Sequence, residues 1–249
     1  MVLIKNKSAI EKMHIAGKLL AQILHEVKSH VVKGATTLQI DNFIENRMKD
    51  LGLKAECKGY AGYKYATCIS LNDVIVHGVP SDKIVLKSGD FVKIDVVGSY
   101  KNYCVDMARF FFVGNVGPVV KKIAQVSQNA LDKAIELVVE GNRLSDISFG
   151  IQKEVEKEGF NVIRKFAGHG IGKDMHEEPD IPNYGKAGCG PVLREGMTLA
   201  IEPMISERSY LVEVMEDGWT AKTADGGLAG HVEDTVLVTN NGPQILTRI

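Results

Sequence analysis

Leu86-Lys87-Ser88-Gly89-Asp90-Phe91-Val92-Lys93-Ile94-Asp95 recurs in outline 107 residues later, as Leu193-Arg194-Glu195-Gly196-Met197-Thr198-Leu199-Ala200-Ile201-Glu202. In both copies a turn glycine leads into an apolar run that ends on a carboxylate, so that Asp95 falls on Glu202. The same offset joins Gly34 to Gly141, Ile40 to Ile147, Ile44 to Ile151 and Gly52 to Gly159. One offset spanning helix stops, turn glycines and strands indicates two copies of a single α+β unit of about 110 residues, packed as pseudo-symmetric halves. Two copies are too few for a solenoid.

The flanking sequence agrees. Ser8 with Glu11 has capping-box spacing, and Ile10, Met13, Ala16, Leu20, Ile23 and Val27 recur at helical period, predicting a first helix that runs to Gly34. Thr36 with Gln39 repeats the cap, Leu38, Ile40, Ile44 and Met48 form the stripe, and Gly52 is the stop. Short apolar runs at 67–71, 73–76, 91–97 and 103–113 read as strands. Pro118 then opens a helical pattern to Gly141, Ser145 opens another to Gly159, and strands resume from Phe160. The predicted order is helix, helix, strands, twice, in a single domain over 1–249 whose halves are roughly 1–115 and 116–249.

Composition bounds the function. The chain has 249 residues, 45% hydrophobic and 24% charged, which suits a soluble globular protein and excludes wholesale disorder. Thirty Lys and Arg nearly cancel 31 Asp and Glu, so the net charge of −1 gives no reason to expect a nucleic-acid or anionic-membrane partner. Lys5, Lys7, Glu11, Lys12 and Lys18 interrupt the first apolar residues, unlike a signal peptide, and no apolar run approaches the ~18 residues of a membrane span. A cytoplasmic protein is expected. Cys57, Cys68, Cys104 and Cys189 contain no C-x-x-C pair and are expected as small buried hydrophobes.

Four carboxylates stand within or beside apolar strands: Asp95, Asp106, Glu202 and Glu233. Taken singly, each reads as a solvated or ion-paired strand residue. Four related by a pseudo-dyad are different, because converging like charges at ~4 Å cost ~4 kcal/mol per pair at an effective dielectric near 20. Two divalent cations would cancel them. Gly168-His169-Gly170-Ile171-Gly172 supplies an imidazole between residues without side chains, and the loop lacks the spacing of a phosphate-binding turn. Oxygen-rich coordination with one imidazole favours labile ions of the manganese, iron or cobalt type in a catalytic site. His77 in Val76-His77-Gly78-Val79-Pro80 and His176 in Met175-His176-Glu177-Glu178-Pro179 stand in turn-like settings that suit either presentation to a ligand or an ordinary surface loop.

Together with Asn72-Asp73-Val74-Ile75, Lys93-Ile94-Asp95-Val96, Asp106, Ile201-Glu202-Pro203-Met204 and Glu233, these motifs closely resemble type I methionine aminopeptidases, metallopeptidases of the pita-bread fold, over essentially the whole chain. The resemblance implies two divalent ions (cobalt, manganese, iron or zinc) held by Asp95, Asp106, His169, Glu202 and Glu233, with Asp106 and Glu233 bridging. It implies that His77 and His176 contact substrate and that Glu202 shuttles a proton. A methionine pocket would be formed by Cys57, Tyr60, Tyr63, Cys68, His77 and Trp219. Met175 stands where many relatives have Phe, which would alter the pocket wall. The implied partners are the N-termini of nascent polypeptides on a transiently docked ribosome, and the implied state is a monomer. A proline-selective pita-bread aminopeptidase and a non-catalytic peptide-binding module are the alternative readings. The first usually carries a large extra N-terminal domain, and the second would be expected to have lost ligands.

Overall fold

The computed structural model describes residues 2–249. Helices α1 (Lys7–Glu26), α2 (Thr37–Asp50), α3 (Pro118–Glu136) and α4 (Leu144–Glu156) alternate with antiparallel sheets in the order helix, helix, strands, twice. The α2 cap is the one anticipated: the Thr36 side chain accepts from Gln39 N–H, and the Gln39 side chain accepts from Thr36 N–H. The α1 cap is not. Asn6, whose backbone has the extended conformation that a cap needs, accepts from Ala9 N–H at 3.0 Å, while Ser8 lies inside the helix. Nor does α1 reach Gly34; it ends at Glu26 and passes through one 3₁₀ turn, Val27–Ser29, after which His30 stacks on Phe43 of α2 with ring centroids 3.9 Å apart. Ser145 also lies inside its helix: Asp146 accepts from Arg143 N–H at 2.8 Å, and the Ser145 hydroxyl donates to Cys189 O.

The repeat is physical. Gly34 and Gly141 share a φ of +92°, a left-handed value that favours glycine. Gly34 N–H donates to Leu86 O and Gly141 N–H to Leu193 O, and the bridge Thr36 to Val85 has its copy in Arg143 to Val192. Thus in each half the turn ahead of the second helix is tied to the segment that leads into the acid-bearing strand.

The first half builds a sheet from Lys54–Ala55, Phe91–Tyr100, Cys68–Leu71 and Tyr103–Phe112. α1 and α2 bury Met13, Leu20, Ile40 and Ile44 in one core with Ile94 and Val96. The second half builds a five-stranded sheet in the order Gly242–Ile245, Asp234–Thr239, Thr198–Ile201, Ala167–Gly170, Glu177–Pro182. α3 and α4 bury Ile123, Leu131, Ile147 and Ile151 in another core with Leu199 and Ile201. The halves join where Ala108 and Glu233 exchange both backbone hydrogen bonds, at 3.3 and 3.1 Å. Beside that junction the Thr235 hydroxyl donates to Asp106 O at 2.8 Å and accepts from Asp106 N–H.

After Glu202 the copies diverge. In the first half Lys101 and Asn102, both with positive φ, turn the chain directly from Phe91–Tyr100 into Tyr103–Phe112. In the second, the chain runs through Met204–Ser206 and a hairpin of Val212–Val214 and Ala221–Thr223 before it returns as Ala229–His231 and Asp234–Thr239. The spacing therefore grows from 107 between Asp95 and Glu202 to 127 between Asp106 and Glu233.

Gly17 marks the tightest place on α1: a Cβ there would lie 2.0 Å from Leu246 O, in the C-terminal segment hydrogen-bonded to Thr235. Alanine would gain ~1 kcal/mol of helix propensity. Overpacking against backbone outweighs it, so Gly17→Ala should destabilise the protein by about 1–3 kcal/mol in urea unfolding; a variant more stable than wild type would contradict this contact.

Candidate metal centre and substrate pocket

Asp95 and Asp106 come from neighbouring strands of the first half, His169 from the strand Ala167–Gly170, Glu202 from the end of Thr198–Ile201, and Glu233 from the junction between halves. The structure brings all five together. His169 Nε2 lies 3.8 Å from Asp106 Oδ2 and 3.7 Å from Glu202 Oε1. Donor atoms of Asp106, His169 and Glu233 lie within 4.8 Å of one another, as do those of Glu202, His231 and Glu233. Asp106 Oδ1 and Glu233 Oε1 are buried and lack a hydrogen-bond partner. Orphaned carboxylate oxygens aimed into one space are costly unless something positive stands there. The donor set, mostly carboxylate with neutral imidazole, fits divalent cations.

The electrostatics agree. Burial drives the Asp95, Asp106, Glu202 and Glu233 carboxyls above the ordinary carboxylate range, and mutual repulsion adds to this for Asp95, Asp106 and Glu233. Burial, with His176 close by, pushes His169 down to about 4, so its imidazole is neutral near pH 7, as a metal ligand must be. Its Nδ1 lies 2.9 Å from Gly170 O, a geometry that assigns the proton to Nδ1 and leaves the Nε2 lone pair facing the carboxylates. The flanking glycines serve strand approach more than metal approach: a Cβ at Gly168 would meet Ala200 O at 2.5 Å, and one at Gly170 would meet Glu178 O at 2.2 Å.

Beside the carboxylates lies a small cavity of about 110 Å³. Cys57, Tyr60, Tyr63, Cys68, His77, Met175, His176 and Trp219, the full set named from the sequence, line it together with Asp95 and Asp106. Tyr63 meets Trp219 edge to face at 5.0 Å, and its hydroxyl donates to Thr67 O. His176 Nδ1 lies 3.1 Å from the Tyr60 hydroxyl, and its ring meets that of His169 edge to face at 4.5 Å. His77 has φ +59°, rare for a residue with a side chain, and burial pushes it down to about 4. A more open groove of about 400 Å³ continues past His77, His169, His176 and Glu202 toward Phe166, Glu178 and Asp180. A larger cavity, about 520 Å³, lies between α1, α3 and the C-terminus and holds none of these residues.

Four features went unnoticed in the sequence. His231, two residues before Glu233, shares its face of the extended chain by period-two alternation, a signal that was legible. Asp41 of α2 is buried and accepts from Ala66 N–H, Thr67 N–H and the Thr67 hydroxyl at 2.8–3.1 Å, pinning the loop between Tyr63 and Cys68. Lys93 is wholly buried, donates to Asn72 O and Ala229 O, and is pushed down to about 7 by burial. Of the cysteines, Cys189 is exposed rather than buried, since it lies on the turn that pairs with Ser145.

Residues 11–240 match the family model of metallopeptidase family M24. The chain belongs to this family, and its α+β pita-bread architecture is that of a metal-dependent aminopeptidase. Its full-length relatives are methionine aminopeptidases. It is 43% identical over 249 residues to that of Clostridium perfringens, covering 100% of both chains, and 42% identical over 247 residues to that of Clostridium acetobutylicum, covering 99% of both. The crystal structure of methionine aminopeptidase from Thermotoga maritima superposes with a TM-score of 0.98 at 48% identity, covering 100% of each chain. The prolidase from Pyrococcus furiosus superposes with a TM-score of 0.80 at 26% identity, and the match covers 99% of this chain but 65% of that one. Among the described residues no helix is long and apolar enough to cross a membrane.

Stripped of divalent ions by a chelator, the protein should lose stability that added metal restores. At about 100-fold excess over Kd the gain is ~2.7 kcal/mol, and calorimetric melting should show it. Because protons compete for carboxyls whose affinity for them is raised, the gain should be larger at pH 8 than at pH 6. An equal gain at both pH values would count against carboxylate ligation.

Proposed function

We propose that this single-domain enzyme removes the initiator methionine from polypeptides whose second residue is small, using two divalent ions. The observation that carries the reading is the junction of an orphaned carboxylate cluster with a small, sulfur- and aromatic-lined cavity. Asp95, Asp106, His169, Glu202 and Glu233 would hold the ions, with Asp106 and Glu233 shared between them. Cobalt, manganese, iron and zinc all suit the donors. Bound there, the ions supply Lewis acidity toward a water and the scissile carbonyl.

The protein's own groups do the rest. Glu202, at the mouth of the groove, takes a proton from the attacking water and delivers it to the leaving amine. His176, tethered through Nδ1 to Tyr60, turns its other nitrogen toward the developing oxyanion. His77, held in its left-handed conformation between cavity and groove, holds the backbone nitrogen of the scissile bond. Cys57, Tyr60, Tyr63, Cys68, Met175 and Trp219 enclose one unbranched side chain, and Met175 makes one part of that wall flexible. The substrate's free N-terminus would lie on the side of the small cavity, as exopeptidase cleavage requires. Its substrates would be nascent chains met in the cytoplasm at the ribosome by a monomeric enzyme. The 48% identity to the methionine aminopeptidase of Thermotoga maritima, against 26% to the prolidase, supports this reading over a proline-selective one, and the convergence of Asp106, His169, Glu202 and Glu233 supports it over a non-catalytic module.

Peptides varied at their first two residues test the pocket. Methionine followed by Gly, Ala or Ser should be cleaved, and norleucine in first position about 2- to 10-fold less efficiently, since sulfur–aromatic contacts are worth ~0.3–1.5 kcal/mol. Efficient cleavage of N-terminal valine, or of Met-Trp, would refute it. Met175→Phe should sharpen discrimination against leucine.

Variants separate ligands from substrate contacts. Asp106→Ala or Glu233→Ala should abolish nearly all turnover, because each removes a group shared by both ions. His77→Ala and His176→Ala should keep metal affinity and lose roughly 10²–10⁴-fold in kcat. Calorimetric metal titration decides: strongly weakened binding in either histidine variant would place that imidazole on the metal.

A further inference from the structure

His231 is 1% exposed and closes the strand Ala229–His231, which pairs with Met204–Ser206 so that His231 sits opposite Met204, two residues beyond Glu202. The ladder thus sets imidazole and carboxylate side by side, with His231 Nε2 3.1 Å from Glu202 Oε2. The other oxygen, Oε1, is the one that faces His169 Nε2 at 3.7 Å. His169 carries its proton on Nδ1, committed to Gly170 O, and so has nothing to donate to Glu202. Among the described residues the side chain of Glu202 has one hydrogen-bonding partner, and it is His231.

A carboxylate that must offer one oxygen to an ion and still exchange a proton needs its plane held; otherwise it is free to rotate or to chelate through both oxygens. We infer that His231 is a positioning residue: its Nε2–H donates to Glu202 Oε2, fixing the carboxylate with Oε1 turned toward His169 Nε2, where the two would be available to hold an ion. This rests on the role given to Glu202 above. Buried Lys93 supports the arrangement from behind, since its ammonium grips Ala229 O on the same strand and Asn72 O across it, which fixes where His231 is delivered.

The test compares His231→Gln with His231→Asn. The amide nitrogen of glutamine can occupy the place of Nε2, whereas that of asparagine reaches only the place of Nδ1, so both variants bury an amide but one alone restores the donor. Each apoprotein is titrated with Mn²⁺ by calorimetry, and kcat and KM are measured on a Met-Ala peptide. His231→Asn should bind its first ion about 10–100-fold more weakly and lose a similar factor in kcat with little change in KM, while His231→Gln stays within about threefold of wild type in both. Wild-type metal binding and kcat in His231→Asn would overturn the inference. So would a His231→Gln as defective as His231→Asn, for then the ring nitrogen itself binds metal. If His231→Asn does not fold, His231→Gln decides alone by the same threefold criterion. Should the wild-type enzyme fail to cleave Met-Ala, the functional reading falls, and the Mn²⁺ titrations still rank the two variants and decide the role of His231.

Discussion

Four carboxylates facing one another in a largely buried space are the constraint from which the rest of this molecule follows. Asp95, Asp106, Glu202 and Glu233 cannot all be ionised there without compensating charge, and the protein's own cations are placed elsewhere: Arg109 pairs with Asp234, and Lys93 spends its donors on backbone carbonyls. The fold tolerates the cluster because Asp95 and Asp106 sit within paired strands, Glu202 directly follows one, and Glu233 is fixed by its bridge to Ala108. The two-helix layer of each half supplies the hydrophobic stabilisation that offsets burying charge at the centre. Stability and metal affinity are for that reason coupled properties of one structure.

Much of this was legible in the chain because it is local or repeated. The 107-residue offset needed only glycines, stripes and strand-borne acids to be recognised, and the matched hydrogen bonds of Gly34 and Gly141 show what it encodes. The acids stood out because there are four of them at related strand positions, although each alone reads as an ordinary strand carboxylate. Pocket residues were reached only through family resemblance, since nothing in the spacing of Cys57, Tyr63 and Trp219 says that tertiary structure will bring them together.

What stayed hidden was set by partners far away in sequence. Whether Asn6 or Ser8 caps α1 depends on the backbone ahead of the helix, and Asp41 reads as an ordinary polar position on α2 until the loop at Ala66 and Thr67 folds over it. His231 was within reach: it alternates with Glu233, and treating the strand as a row of same-facing residues finds it. No repeated motif points to it, because His231 lies in the stretch where the repeat breaks down.

That break has a meaning of its own. A centre with perfect twofold symmetry would accept the same peptide equally well in two opposed orientations. Here the hairpin of Val212–Val214 and Ala221–Thr223 has no counterpart in the first half, and at its turn it carries Trp219 against Tyr63. It narrows one side of the centre to a cavity of about 110 Å³ and leaves the other, past Phe166 and Asp180, as a groove of about 400 Å³. Symmetry builds the place where a bond is broken; the departure from symmetry gives that place a direction.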